Sequence, residues 1–131
     1  MKFKSLEVWQ LSYQLAITTY RETSGLKDWG FKDQITGCAL SIPSNIAEGI
    51  ERQGPKEQIQ FLFIAKGSLA EFITQAMIGR DIGYLNDSTV DDLLDDAQTI
   101  SAMLGGLIYS ISNRCKPKAA KGKPKTASSK S

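Results

Sequence analysis

Three features of the 131-residue sequence predict an all-α fold, an up-down-up-down antiparallel four-helix bundle. Four long stretches carry apolar residues at 3–4 spacing, the repeat of one helix face. Short breaks separate them, at Ser24-Gly25, Gly54-Pro55 and Tyr84 to Asp87. No stretch alternates with period two for long enough to make a strand. Short loops between long helices leave neighbours antiparallel. By length the chain is one domain, residues 1–113, followed by a Lys-rich tail, 114–131.

In the first helix Leu6, Trp9, Tyr13, Ala16 and Tyr20 form the main stripe, and Val8, Leu11 and Leu15 a second strip. Ser5 is the candidate cap, with Glu7 near the positive end of the helix dipole. The second helix follows a loop over Leu26 to Gly30. Phe31, Ile35, Cys38, Ile42 and Ile46 line its core face, and it runs to about Arg52. Pro43 lies inside it, has no N–H for the ladder and crowds the Ala39 carbonyl, so a kink is expected there. Ser41, Ser44 and Asn45 surround Pro43 with short polar side chains able to satisfy freed backbone groups, and Glu48 follows one turn after Ser44.

Gly54-Pro55 opens the third helix, where proline's missing N–H costs nothing. Leu62, Ala65, Leu69, Phe72, Ala76, Gly79 and Gly83 form one stripe, and Ile59, Phe63, Ala70, Ile73 and Met77 a second. Phe61, Ile64 and Ile78 fall outside both. One face meets the core, so the remaining apolar surface needs a partner, read as another copy of the chain. Ser88, with Asp91, is the candidate cap of the fourth helix. Val90, Leu93, Ala97, Ile100, Leu104, Leu107 and Ile111 line its core face. Gly105-Gly106 weakens that helix by roughly 1 kcal/mol per glycine, which points to a close contact or a fraying last turn.

Charge is unevenly spread. Residues 1–113 hold 9 Lys and Arg against all 14 Asp and Glu, a balance of −5, and residues 114–131 hold 7 Lys and Arg and no acid, +7. The tail should be disordered when alone. Arg114, Lys116, Lys118, Lys121, Lys123, Lys125 and Lys130 can follow a phosphate backbone without reading sequence, though a solubilising tail is the competing reading. Rim cations Arg52, Lys56 and Arg80 are candidate additions to the same surface.

Histidine is absent, which excludes the Ser-His-Asp and Cys-His arrangements and a di-iron centre built on Glu-x-x-His pairs. Asp91, Asp92, Asp95 and Asp96 read as a solvated acidic face rather than a metal site. Lys66 reads as a snorkelling side chain. Cys38 reads as a core residue, and it shares no metal-ligand spacing with Cys115. No metal or cofactor is expected. With no signal-peptide run and no stretch read as long enough to span a bilayer, a cytoplasmic location is the default. Ser41, Pro43, Ser44, Asn45 and Glu48 form either a kinked, internally bonded stretch, the preferred reading, or a polar site converging with Arg52 on a ligand.

Leu6-Glu7-Val8-Trp9-Gln10, Gln34-Ile35, the run Ser41 to Gly49 (SIPSNIAEG), Ala65 with Gly67 to Glu71 (GSLAE), and Gly83-Tyr84-Leu85 together resemble the 23S rRNA intervening-sequence, or S23, family over roughly residues 3–113. The resemblance implies an all-α bundle assembling as a ring, typically a pentamer, whose genes occur in intervening sequences of bacterial ribosomal RNA genes. It also implies a similarity in fold to the accessory variability determinant proteins of diversity-generating retroelements, which are pentameric and basic and bind nucleic acid and a reverse transcriptase. Relatives often carry basic residues where this chain has Thr36-Gly37, which moves the electrostatic case to the tail. Two functions are expected from these readings: a non-enzymatic oligomeric module binding nucleic acid, RNA first, or a structural adaptor binding a protein without nucleic acid. An enzyme has thin support.

Overall fold

The computed structural model describes residues 1–114; the tail from Cys115 to Ser131, with its six lysines, lies outside the described residues. A 3-10 turn, Lys2–Ser5, precedes four helices: α1 Glu7–Glu22, α2 Trp29–Glu51, α3 Pro55–Asp81 and α4 Asp87–Arg114. Among the described residues each helix lies beside two others, in the cycle α1, α2, α3, α4, and the backbones of diagonal pairs do not come close. That is an antiparallel square. One end holds the starts of α1 and α3 and the ends of α2 and α4, and the far end holds the other four termini.

The stripes on three helices fall close to where the spacing predicts, but Phe31 and Cys38 of α2 and Leu107 of α4, expected in the core, are only half-buried at its edge, and Ala39 takes a core place on α2. In α2, Ile35, Ala39, Ile42 and Ile46 are fully buried; in α3, Leu62, Ala65, Leu69, Phe72, Ala76 and Gly79; in α4, Val90, Leu93, Ala97, Ile100, Leu104 and Ile111. Helix α1 departs. Its core face is Val8, Ser12, Leu15, Ala16 and Thr19, while Tyr13 and Tyr20 are about half exposed. The buried hydroxyls bond their own helix: Ser12 Oγ to the Trp9 carbonyl at 2.9 Å, Thr19 Oγ1 to the Leu15 carbonyl at 2.7 Å, Thr23 Oγ1 to the Thr19 carbonyl at 2.8 Å. A hydroxyl satisfied in this way enters the core at little cost, and the tyrosines keep their hydroxyls in water.

The caps also differ. Ser5 ends the 3-10 turn and donates to the Lys2 carbonyl, and α1 starts after Leu6 with no side-chain cap. Asn86, not Ser88, caps α4, its Oδ1 accepting from Thr89 N–H at 2.7 Å. Asp28 caps α2 through Phe31 N–H at 3.1 Å, and its other oxygen accepts from the Tyr84 hydroxyl at 2.8 Å, tying the α1–α2 loop to the end of α3. These two bonds hold the Asp28 carboxyl below its ordinary pKa. Helix α3 stops at Asp81, so Gly83 is not on its stripe. Gly83 has φ +85° and closes a Schellman cap, with Gly83 N–H on the Arg80 carbonyl and Tyr84 N–H on the Gly79 carbonyl.

Helix α2 continues through Pro43, which is buried. Nothing within 4 Å would meet a side chain at Gly105 or Gly106, and α4 continues past both to Arg114, so neither a close contact nor a frayed turn explains them. Helix α3 corrects one expectation: it spans 27 residues and contains an 18-residue stretch of mean hydropathy 1.3, long and apolar enough to cross a membrane by length and composition alone. Part of that apolar surface, Leu62, Ala65, Leu69, Phe72 and Ala76, is buried in the bundle, while Phe63, Ile64, Met77 and Ile78 are exposed.

Candidate nucleic-acid interface

The end from which the tail leaves collects cations from distant parts of the sequence. Lys2 and Lys4 come from the 3-10 turn, Arg52 from the end of α2, Lys56 from the start of α3 and Arg114 from the end of α4. The turn is fixed in place. Gln10 Nε2 donates to the Lys4 carbonyl at 2.8 Å, and the Phe3 ring meets Trp9 edge-on at 5.1 Å between centroids.

Two shallow depressions flank the turn. One, about 280 Å³, lies between Phe3 and the ridge Ser44, Glu48 and Arg52. The other, about 390 Å³, is walled by Lys2, Gln58, Ile111 and Arg114. Arg52 forms an ion pair with Glu48 and lies 4.8 Å from the Phe61 ring centroid, its Nε buried without a partner. Its carbonyl accepts from Gln58 Nε2 at 3.0 Å. Among the described residues Lys2, Lys4, Lys56 and Arg114 make no ion pair; Arg114 Nη1 reaches only Ser110 Oγ, at 3.1 Å. Glu7, Glu51 and Glu57 lie among them, so the end is mixed rather than uniformly basic. The helix dipoles add to it: α1 and α3 both start here, without a side-chain cap, so their positive ends lie at this end.

Arg80 does not belong to this cluster. It lies at the other end of α3, about 36 Å from Lys56 at 1.5 Å per helical residue, where Nε pairs with Asp81 at 3.1 Å. Its surroundings are acidic, with Asp87, Asp91, Asp92, Asp95 and Asp96 at the start of α4. Asp91, Asp92 and Asp95 are exposed. Asp96 is half-buried, and burial, then Asp92 and Asp95, push its carboxyl above its ordinary pKa. Among the described residues no three His, Cys, Asp or Glu side chains group as metal ligands would.

The SIPSNIAEG stretch divides between two faces. Ser41 Oγ meets Ser68 Oγ of α3 at 2.8 Å, and Asn45 Nδ2 donates to the Ser41 carbonyl at 2.8 Å and to Ser41 Oγ at 2.9 Å. Ser44 and Glu48 instead face outward, towards Phe3 and Arg52. The polar run therefore stitches α2 to α3 on one side and only its other side reaches the end cluster. Nearby, Cys38 Sγ donates to Glu71 Oε1 at 3.3 Å; burial, and then Glu71, push the thiol pKa up.

Lys2 and Lys4 were missed by reasoning on local motifs. The signal is the topology itself: in an up-down bundle the start of α1 and the end of α4 share an end.

The profile of the family described as 23S rRNA-intervening sequence protein matches residues 4–106. The chain belongs to that family. A crystal structure of a protein of unknown function from the S23 ribosomal protein family of Bacteroides thetaiotaomicron is similar to it, with TM-score 0.72 and 22% identity over 77% of this chain and 97% of the other. At that identity the likeness speaks to the fold. No curated protein matches the chain. For this intervening-sequence family member, the geometry has to carry the functional argument.

Proposed function

We propose that this protein is a non-enzymatic, homo-oligomeric module that binds nucleic acid, RNA first, through the end of the bundle and the tail that leaves it. The observation that carries the reading is the gathering of Lys2, Lys4, Arg52, Lys56 and Arg114 at the end where the Lys-rich segment begins. Phosphates are bound by such cations largely without sequence preference. The family's association with an rRNA intervening sequence supports RNA over DNA. Assembly as a five-membered ring would place several tails on one side, so that weak contacts add by multivalency.

The test is binding of an RNA and a DNA duplex at several salt concentrations, for the full chain and for a chain ending at Asn113. Binding that falls steeply with salt and drops on truncation supports the reading. Absence of binding at low salt by either chain refutes it. An adaptor that binds protein is favoured by a different observation, the apolar surface left on α1, α2 and α3, and contact through that surface would be nearly independent of salt.

A further inference from the structure

Acids stand among the cations at the tail-bearing end, and two of them share one ridge. Ser44, Glu48 and Glu51 lie four and three residues apart on α2, which puts them on one face of that helix, with Ala47 between them. Phe3 of the 3-10 turn stands across the depression of about 280 Å³ from this ridge. Arg52 closes it. Arg52 caps α2 in extended backbone, Gln58 holds its carbonyl, and its guanidinium is committed to Glu48 and to the Phe61 ring. One guanidinium against two carboxylates leaves the lining with a formal charge of −1 (+1 with −2), and Glu51 makes no ion pair among the described residues. Lys2 and Lys4, both exposed, flank Phe3 in the chain.

The rim is therefore basic and the lining acidic. A phosphate is drawn to the first and repelled by the second. An ionised carboxylate only accepts hydrogen bonds, so the lining calls for a ligand with N–H donors. The Phe3 ring calls for a flat one. The volume is just below the roughly 300–1,000 Å³ of pockets for drug-sized ligands, which suits a single ring system. An unstacked base of a single strand meets all these demands, because such bases lie on aromatic rings and are read along their Watson–Crick edges. Guanine alone among the four RNA bases presents two adjacent donors on that edge, N1–H and the N2 amino group, matching the two oxygens of one carboxylate. Uracil offers one N–H between two carbonyl oxygens, which carboxylates repel. Adenine and cytosine offer an amino group beside an acceptor nitrogen.

We infer that the depression between Phe3 and Glu51 is a nucleobase subsite for guanine in a single strand. Glu51 accepts from N1–H and the N2 amino group, Phe3 stacks on the base, and Lys2 and Lys4 hold the neighbouring phosphates. This rests on the nucleic-acid reading above and adds the strand form and the base. It gives Glu51 the opposite effect from the one its charge alone would have at an RNA-binding end.

The experiment is an anisotropy titration, at one low salt concentration, of two short labelled single-stranded RNAs of equal length, one all uridine and one with a single central guanosine. The proteins are the full chain, Glu51→Ala and Glu57→Ala, with helical circular dichroism confirming that each variant folds. Both sites are exposed, and Glu57 lies at the same end but does not line the depression. The full chain is expected to bind the guanosine-containing RNA about tenfold more tightly, the discrimination of one bidentate base contact. Loss of a carboxylate by charge alone strengthens both RNAs equally, and that is the expectation for Glu57→Ala. Glu51→Ala is expected to strengthen binding of the uridine RNA yet weaken binding of the other, so that the preference falls towards one. A full chain that binds neither RNA overturns both this inference and the nucleic-acid reading. Binding without a guanosine preference, or a preference that Glu51→Ala leaves intact, overturns the subsite alone.

Discussion

At Gly49 the backbone of α2 lies close against α3. A Cβ built there would lie 3.0 Å from Phe61 Cβ and 3.1 Å from the Gln58 carbonyl oxygen. Both belong to the rigid body of a helix and cannot yield without moving it. Gly49→Ala gains up to about 1 kcal/mol of helix propensity, yet overpacking costs of about 1–3 kcal/mol outweigh it. The variant is expected to be less stable by denaturant titration, and Gly49→Val less stable again. Asp96 gives the opposite sign. Its raised pKa means that the fold favours the protonated acid, so its contribution to stability is complete below the ordinary value of 3.8 and is lost as pH rises through the folded value. At neutral pH the exposed part of its carboxyl is screened by water, and the net cost is a few tenths of a kcal/mol, comparable to an i,i+4 repulsion. Asp96→Asn should raise the melting temperature slightly at pH 7, and the gain should vanish near pH 3.

At the scale of the helix, Gly105 and Gly106 are the informative pair. Each lies in the middle of α4 with open space around it, so Ala at either position adds helix propensity without a clash. Each substitution is expected to stabilise by about 0.5–1 kcal/mol in thermal or chemical unfolding. A loss instead would mean that another surface rests on these glycines. The helices themselves were legible because burial on α2, α3 and α4 follows the 3–4 spacing at most positions. Helix α1 was legible in extent but not in orientation: Ser12 and Thr19 bond their own carbonyls and so occupy core positions that their composition conceals. Cap positions were ambiguous where polar residues stand in a row. Asn86, Asp87 and Ser88 can each cap a helix, and the choice among them sets only where the first turn begins. Asp28 carried a usable signal, a capping residue directly before Trp29, and it fixes the far end through Tyr84.

The arrangement of the whole molecule decides which cations act together. Arg80 reads in the sequence like Arg52 and Lys56, and only the direction of α3 separates it from them. Lys56→Ala is expected to weaken RNA binding and to lower the slope of log affinity against log salt by about 0.9 for a duplex contact. Arg80→Ala should leave both unchanged, and a filter-binding or anisotropy titration across salt concentrations reads the difference. The grouping was hidden because it joins residues 2, 56 and 114, which no local spacing connects.

The same separation of ends gives the molecule an orientation. Antiparallel helix dipoles largely cancel, but the side-chain charges do not, because the carboxylates Asp87 to Asp96 of α4 lie roughly 27–40 Å from Arg114 along the helix. The bundle is thus a rod with an electric dipole along its axis. If the proposed nucleic-acid binding holds, a nearby polyanion would exert a torque on it before any contact and turn the tail-bearing end forward. Approach would then be biased towards that face over about a Debye length, roughly 10 Å at 0.1 M salt, so added salt is expected to slow association as well as to speed dissociation.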